Sequence, residues 1–238
     1  MRRNSSSEPA YSLLAVFASP RKRSNSTAIA ESLLSGFEDA AGSVARSDGA
    51  SPAAQASQAS RRDGKAQGGK APEVEARTSA ELQRFSLREL KIGPCLGCDE
   101  CKKSPEARCV QEDDMQRIYP VLERADTLLL ATPVYSFNLS AQIKIFIDRM
   151  YALWNEGGLD RLQGKRIVLI LTYGDEDVFA SGGVNAIRSI QDLSRFYGME
   201  PPEVIHCRAG DEGEAELNAE IIERAARAGR RLATAQEF

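Results

Sequence analysis

The run Arg166 to Thr172, RIVLILT, restricts the fold of this chain more than any other stretch. A strand with one face in water alternates apolar and polar residues, whereas this run is apolar almost throughout and must be covered on both faces. A parallel sheet between two layers of helices meets that demand. Ser12 to Ala18 and Thr127 to Thr132 have the same character, and Glu203 to Cys207 reads as a further strand. Leu82 to Leu87, where Phe85 and Leu87 alternate with polar neighbours, belongs nearer a sheet edge.

Helical patterns separate these runs. Ile29, Leu33 and Phe37 share one face, as do Met115, Ile118 and Leu122 behind Asp113 and Asp114, whose charges suit the positive end of a helix dipole. Ile143, Ile147, Met150, Tyr151 and Trp154 form a third set after Ser140. Ile187, Ile190, Leu193 and Tyr197 form a fourth, closed by Gly198 as a C-terminal cap. A last helix is expected to start near Glu214 and to carry Leu217, Ile221 and Ala225 on one face. Five strands alternating with five helices predict an α/β fold: a doubly wound, five-stranded parallel sheet in a three-layer α/β/α arrangement. Ligands of such sheets bind beyond the carboxyl ends of the strands, so the loops after each strand are where chemistry is sought.

Two stretches stand apart. Residues 1–10 are polar and are expected to form a flexible tail. Between residues 40 and 80 the only Val, Ile, Leu, Met or aromatic residues are Val44 and Val74. Such a segment cannot bury enough apolar surface to offset its ordering entropy, so 40–80 reads as a low-complexity, disordered insertion interrupting one domain of residues 11–238. A chain of 238 residues that is 42% hydrophobic can bury a full core. Its net charge of −3 argues against a nucleic-acid partner, which would need a concentrated basic face. Arg2, Arg3 and Leu13 to Ala18 faintly imitate a signal peptide, but the apolar run is short and Ser19-Pro20-Arg21-Lys22 follows at once. No run approaches the roughly twenty apolar residues that a membrane helix needs. The chain therefore reads as soluble, with no membrane partner and the cytoplasm as the simplest address. Thiols stay reduced there, so a tight cysteine cluster points to metal or redox chemistry rather than to disulfides.

Three loops follow the first, third and fourth strands. SPRKRSNST, Ser19 to Thr27, offers hydroxyls at Ser19, Ser24, Ser26 and Thr27, the amide of Asn25, the charge of Arg21 and the free N–H groups of the next helix. These suit a single phosphate; without GxxxxGK[ST] or GxGxxG, triphosphate hydrolysis and a dinucleotide site are unsupported. A plain N-cap beside a basic surface would use the same residues. TPVYSFN, Thr132 to Asn138, would place Tyr135, Phe137 and several N–H groups where a flat ring could lie, unless Pro133 simply stops the strand in an ordinary turn. Main-chain donors there would meet the pyrimidine edge of a flavin, and a helix N-terminus would favour the charge that collects at its N1 on reduction. TYGDEDVFASGG, Thr172 to Gly183, permits close backbone approach at its glycines. Its adjacent acids Asp175, Glu176 and Asp177 suit a solvated lid better than a cation site.

Four of the five cysteines, Cys95, Cys98, Cys101 and Cys109, lie at C-x2-C-x2-C-x7-C spacing. The first part matches ferredoxin loops that hold a cubane cluster, although the last gap is longer. Zinc is the next alternative, but three ligands at such close spacing are cramped for a tetrahedron. Cys207 reads as a buried small hydrophobe, and the single histidine, His206, as a structural residue facing the opposite way. No Ser-His-Asp or Cys-His arrangement can be assembled, which disfavours hydrolysis.

SPRKRSNST, CLGCDECKKSPEARCVQEDDM, ADTLLLATPVYSFNLSAQIKIFIDR and TYGDEDVFASGGVNAIRSIQDL, in that order, resemble successive motifs of the flavodoxin-like NAD(P)H-dependent FMN reductases and their iron-sulfur flavoprotein branch. The resemblance covers nearly the whole chain except the tail and the insertion; the insertion departs from the family but falls away from the three loops. It implies a flavodoxin-like sheet of order 2-1-3-4-5 with noncovalent FMN across the first and third strand ends. Ser19, Arg21, Ser24, Asn25, Ser26 and Thr27 would then hold the phosphate. Pro133, Val134, Tyr135, Ser136, Phe137 and Asn138 would meet the ring, and Tyr173 and Gly174 its far side. Iron-sulfur flavoproteins carry a compact cysteine motif whose last gap varies, so a [4Fe-4S] cluster on Cys95, Cys98, Cys101 and Cys109 is one expectation. Reductase relatives with a similar loop and no cluster make the other.

Three functions are open to such a chain. In the first, an enzyme, FMN takes hydride from NAD(P)H and passes electrons to a quinone, flavin or other small-molecule or protein acceptor, with no side chain acting as acid or base. In the second, an electron carrier, ferredoxin reduces the cluster and the cluster reduces FMN. The third is a non-catalytic flavin-binding redox sensor. Related flavoproteins are dimers or tetramers, so a homodimer or homotetramer is expected.

Overall fold

In a computed structural model, which describes residues 11–47, 80–103, 109–154 and 161–233, the apolar runs are strands and the periodic segments between them are helices. The tail 1–10 and residues 48–79 of the expected insertion lie outside the described residues. The elements are β1 (Tyr11–Phe17), α1 (Asn25–Ser47), β2 (Ala80–Ser86), α2 (Glu100–Lys103), α3 (Met115–Arg124), β3 (Thr127–Tyr135), β4 (Asn138–Leu139), α4 (Ala141–Met150), β5 (Arg166–Tyr173), α5 (Gly183–Phe196), β6 (Glu203–Arg208) and α6 (Ala219–Ala233). The main sheet is parallel in the order β2-β1-β3-β5-β6, with the two-residue β4 paired antiparallel to β3. Apart from that extra hairpin strand, this is the predicted order, with half-buried β2 at an edge.

Alternation along each strand divides the core into two layers. Leu14, Val16, Leu128, Leu130, Leu169 and Leu171 face α3, α4 and α5. Leu13, Ala15, Leu129, Ala131, Val168 and Ile170 face α1 and α6. Each fully buried large aliphatic or aromatic side chain contributes on the order of 1.5–3 kcal/mol. The predicted helix faces are the buried ones, with Ile29, Leu33, Ile118 and Leu122 at 0% exposure. A Cβ on Gly229 would stand 1.9 Å from the carbonyl oxygen of Leu33, so only a glycine there lets α6 lie directly on the backbone of α1.

Three expectations need correction. Helix α1 runs past Ala40 to Ser47, into the segment read as insertion. The last helix begins at Ala219, preceded by a short turn of 3-10 helix at Ala215–Leu217, and Leu217 is 87% exposed instead of sharing a face with Ile221. Asn218 makes the break, because its Oδ1 accepts the N–H of Ile221 at 3.2 Å and caps α6. Finally, β3 does not stop at Pro133. Its pairing with β1 ends at Phe17 opposite Ala131, so the missing N–H of Pro133 leaves no ladder bond unmade, and the strand continues against β5 to Pro133 and against β4 to Tyr135. Among the described residues no helix is long and apolar enough to cross a membrane.

Candidate functional site

The ends of β1, β3 and β5 open into one cleft of about 210 Å³. Ser19, Arg21, Ser24 and Asn25 line it from the first loop, Pro133, Val134 and Tyr135 from the second, and Thr172, Tyr173 and Gly174 from the third. The sheet thus brings together most of the residues singled out in the sequence. Ser140, just before α4, holds the first two loops together. Its Oγ donates to the carbonyl of Ala18 at 3.2 Å and accepts from Thr132 Oγ at 3.0 Å, while the N–H of Ala18 donates to the carbonyl of Ala131 at 2.8 Å. The hydroxyl of Ser140 is buried and makes no cap to its own helix; it is used to fix two strand ends relative to each other.

Within the first loop the side chains divide. Arg21 is exposed and its N–H donates to Ser19 Oγ at 3.2 Å. Ser24 and Ser26 share a hydroxyl hydrogen bond of 3.0 Å, and Ser26 is fully buried. Asn25 Nδ2 donates to the carbonyls of Ala209 and Asp211 at 3.0 and 2.7 Å, and its Oδ1 accepts the N–H of Ala215 at 3.2 Å. Its side chain is therefore a tie to the loop after β6; what Asn25 can offer an anion is the main-chain N–H at the start of α1. Thr27 lines an adjoining cleft of about 300 Å³ together with Arg21, Lys22, Arg84 and Arg88, the last two paired with Glu31 and Glu89, which line it as well.

TPVYSFN forms the tip of a tight hairpin. Tyr135 pairs with Asn138, and the two residues between them, Ser136 and Phe137, have φ of 47° and 63°. Two consecutive left-handed residues suit the type I′ turn that matches strand twist, but glycine or asparagine normally supplies them. The strained tip is held from the third loop and from the first turn of α5. Asn185 Nδ2 donates to the carbonyl of Phe137 at 3.1 Å, and Gly182, itself left-handed at φ 73°, packs so closely that a Cβ there would lie 2.5 Å from Phe137 Cβ. The rings of Tyr135 and Phe137 stay exposed. Of the tip residues, Asn138 lines a separate groove of about 520 Å³ between α4 and α5, beside Leu139 and Phe196.

In the third loop, Asp177 Oδ1 accepts the N–H groups of Phe179 and Ala180 at 2.7 and 2.8 Å, so its acid caps the loop's own backbone. Tyr173 Oη bonds His206 Nδ1 at 3.1 Å. Burial, reinforced by the charge of Arg224, holds His206 below the usual imidazole range, and burial pushes the Tyr173 hydroxyl up.

A fourth loop, after β6, was not foreseen. Ala209, Gly210 and Glu212 complete the wall of the cleft, and Glu214 organises them by accepting the N–H groups of Gly210 and Asp211 at 2.8 and 3.1 Å. Those backbone donors hold its carboxyl below the ordinary value. The rule that ligands sit beyond the strand ends applied equally to RAGDEGE, which offered the signal.

The four clustered cysteines are free thiols surrounding one small cavity of about 20 Å³, which Arg149 and Tyr151 also line. The loop backbone is left-handed at Gly97 and at Asp99, with φ of 61° and 56°. Left-handed residues alternating with ordinary ones turn successive N–H groups into an anion-binding concavity, as in many iron-sulfur sites. Asp113 and Asp114 anchor the loop in addition to opening α3. Asp114 Oδ2 accepts the N–H of Lys91 at 2.7 Å, and Asp113 Oδ2 accepts that of Gly93 at 3.0 Å. Burial alone would raise the Asp113 carboxyl, but Arg149 and the N–H groups of Gly93 and Met115 together hold it below the usual range. Arg149 is 1% exposed, and its Nε–H has no acceptor among the described residues. Among those residues no three of His, Cys, Asp and Glu converge as a site for a single metal ion. Cys207, in β6, is buried as expected.

The profile of a family described as having a flavodoxin-like fold matches residues 12–232. An iron-sulfur flavoprotein of Methanocaldococcus jannaschii is 36% identical over 122 residues, which cover 51% of this chain and 59% of the relative. An FMN-dependent NADH:quinone oxidoreductase of Gluconacetobacter diazotrophicus is 25% identical over 122 residues, covering 47% of this chain and 60% of the relative. The chain thus spans less than two thirds of the length of these relatives. Among solved structures, the NAD(P)H:quinone oxidoreductase of Methanothermobacter marburgensis superposes with a TM-score of 0.58 at 18% identity, over 93% of this chain and 96% of that one, a likeness of fold.

Proposed function

For a chain that belongs to the flavodoxin-like fold family, as this one does, we propose an FMN-dependent oxidoreductase that takes hydride from NAD(P)H and delivers electrons to an acceptor of the quinone class. The observation that carries the proposal is the single cleft where the loops after β1, β3 and β5 meet. FMN, when bound, supplies an N5 atom that accepts hydride and releases electrons singly or in pairs. The chain's own residues bind and orient. Arg21, Ser19 and the N–H groups at the start of α1 offer donors and positive charge to a phosphate. The main chain from Pro133 to Tyr135 and at Gly174 offers polar contacts to a ring edge, and the exposed Tyr135 a face for it. His206 is engaged with Tyr173, so a proton-transferring side chain is not assigned.

The test is anaerobic mixing of the FMN-loaded protein with NADH and with NADPH while the flavin absorbance is followed. Bleaching within the time of a turnover by either nucleotide supports the reductase. Bleaching by neither contradicts it.

A second reading is favoured by the cysteine loop: an electron carrier in which ferredoxin or a comparable donor reduces a [4Fe-4S] cluster on Cys95, Cys98, Cys101 and Cys109. Its support is the donor set of four free thiols around one cavity, the concave backbone at Gly97 and Asp99, and the unmet Nε–H of buried Arg149 beside them. The iron-sulfur flavoproteins among the relatives point the same way. Iron and acid-labile sulfide near four of each per chain, with reduction by ferredoxin faster than by nicotinamide, would establish it; flavin without iron would exclude it.

A further inference from the structure

Arg149 is buried to 1% exposure near the end of α4. An arginine carries five N–H donors and a permanent charge, so it is buried only where both are met. Nη1 donates to the carbonyl of Gly93 at 2.9 Å and to Asp113 Oδ2 at 2.6 Å, and Nη2 donates to Asp113 Oδ1 at 3.1 Å. The fork-to-fork pair satisfies the charge. The Nε–H is buried and makes no hydrogen bond among the described residues, a condition that native interiors seldom keep without a reason; the Tyr119 hydroxyl, which donates to the Arg149 main-chain carbonyl at 3.1 Å, also lies beside the guanidinium.

The surroundings supply the reason. Arg149 lines the cavity enclosed by Cys95, Cys98, Cys101 and Cys109. Gly93 lies just before the first of these cysteines and Asp113 just after the last, so the guanidinium clips both ends of the loop to α4 with its terminal nitrogens. The neighbouring lysines are engaged elsewhere. Lys102 Nζ donates to the carbonyls of Tyr151 and Trp154 and lies 3.7 Å from the centre of the Tyr151 ring, while Lys103 pairs with Glu100 at 2.6 Å.

We propose that Arg149 is a positioning residue for the iron-sulfur cluster of this loop, its Nε–H donating to a cluster or cysteinyl sulfur and thereby stabilising the reduced cluster. The inference rests on the cluster reading given above. Hydrogen bonds to the sulfurs and nearby charge are among the factors that set a cluster's potential. Asp113 largely cancels the net charge of Arg149, so the directed N–H bond is the main contribution. Lysine would keep the charge but could not hold Asp113 with a fork and present a third donor as well.

The test uses the full chain, purified and reconstituted with iron and sulfide without oxygen. The variants are Arg149→Lys and the double variant Arg149→Met with Asp113→Asn, which avoids leaving a buried carboxylate unpaired. The cluster potential is read from an EPR-monitored redox titration. The double variant is expected to lower the reduced-to-oxidised ratio at a given potential about tenfold, which is about 59 mV for one electron, and the lysine variant to shift it in the same direction by less. Variants that hold a full cluster at the parent potential overturn it and leave Arg149 as a structural clip with the cluster reading intact. A parent protein that binds flavin but no iron overturns the cluster reading itself, and this inference with it.

Discussion

Replacing Gly182 by alanine should damage flavin binding out of proportion to its effect on backbone conformation. Gly182 has φ 73°, where an alanine costs about 1–2 kcal/mol. The new Cβ would also lie 2.5 Å from Phe137 Cβ and 2.6 Å from its Cα and carbonyl oxygen, so the hairpin tip must move. Overpacking of this kind costs about 1–3 kcal/mol more. Gly164 is the matched control, since it has the same φ of 73° but a Cβ there would have nothing within 4 Å. Gly164→Ala is expected to cost only the conformational part, and Gly182→Ala about 2–5 kcal/mol in all. A loss near 3 kcal/mol lowers the melting temperature by roughly 6–12 °C in a chain of this size. Because the displaced tip continues directly from Tyr135, which lines the cleft, the FMN dissociation constant should rise at least tenfold in Gly182→Ala, about 1.4 kcal/mol, and stay unchanged in Gly164→Ala. Thermal melts and FMN fluorescence titrations measure both quantities. Parent-like FMN affinity in Gly182→Ala would refute the placement of the tip beside the flavin.

Arg21→Ala should weaken FMN by about 1.5–3 kcal/mol, the worth of a charged hydrogen bond, while riboflavin affinity and melting temperature stay put, because Arg21 is exposed and only its main chain is bonded within the loop. Asn25→Ala should instead lower stability in urea by about 2–4 kcal/mol, since three hydrogen bonds to the β6 loop are lost together. Asp113→Asn should cost about 3–5 kcal/mol at neutral pH by leaving Arg149 unpaired. The Asp113 carboxyl is held below its ordinary value, so its stabilisation is complete above the unfolded value of about 3.9 and drains away as pH falls below that. Urea unfolding should therefore show a constant gap between parent and variant from pH 5 to pH 8 and a shrinking one towards pH 3.

The architecture was legible because it follows from periodicity. RIVLILT and its counterparts could only be buried parallel strands, and Ile29, Leu33 and Phe37 could only be one face of a helix. Side-chain commitments were not legible, because they depend on what lies across the fold. Asn25 looks like a phosphate ligand in SPRKRSNST, yet the residues that claim it are Ala209, Asp211 and Ala215, far away in sequence. Ser136 and Phe137 carry no turn signature, since their positive φ values are maintained by Gly182 from another loop and by Asn185 from α5. Arg149 reads as one more polar residue at the end of a helix, and only the partners Gly93 and Asp113 reveal a buried clip. Leu217 fitted the helical period, but capping by Asn218 outweighed it.

The flavin site is tested most directly by equilibrium titration of the flavin-free chain with FMN, followed by flavin fluorescence and visible absorbance. Saturable binding of one FMN per chain with a perturbed flavin spectrum is the expected result. A chain that is folded by circular dichroism and leaves the FMN signal unchanged would contradict the flavin site at the ends of β1, β3 and β5.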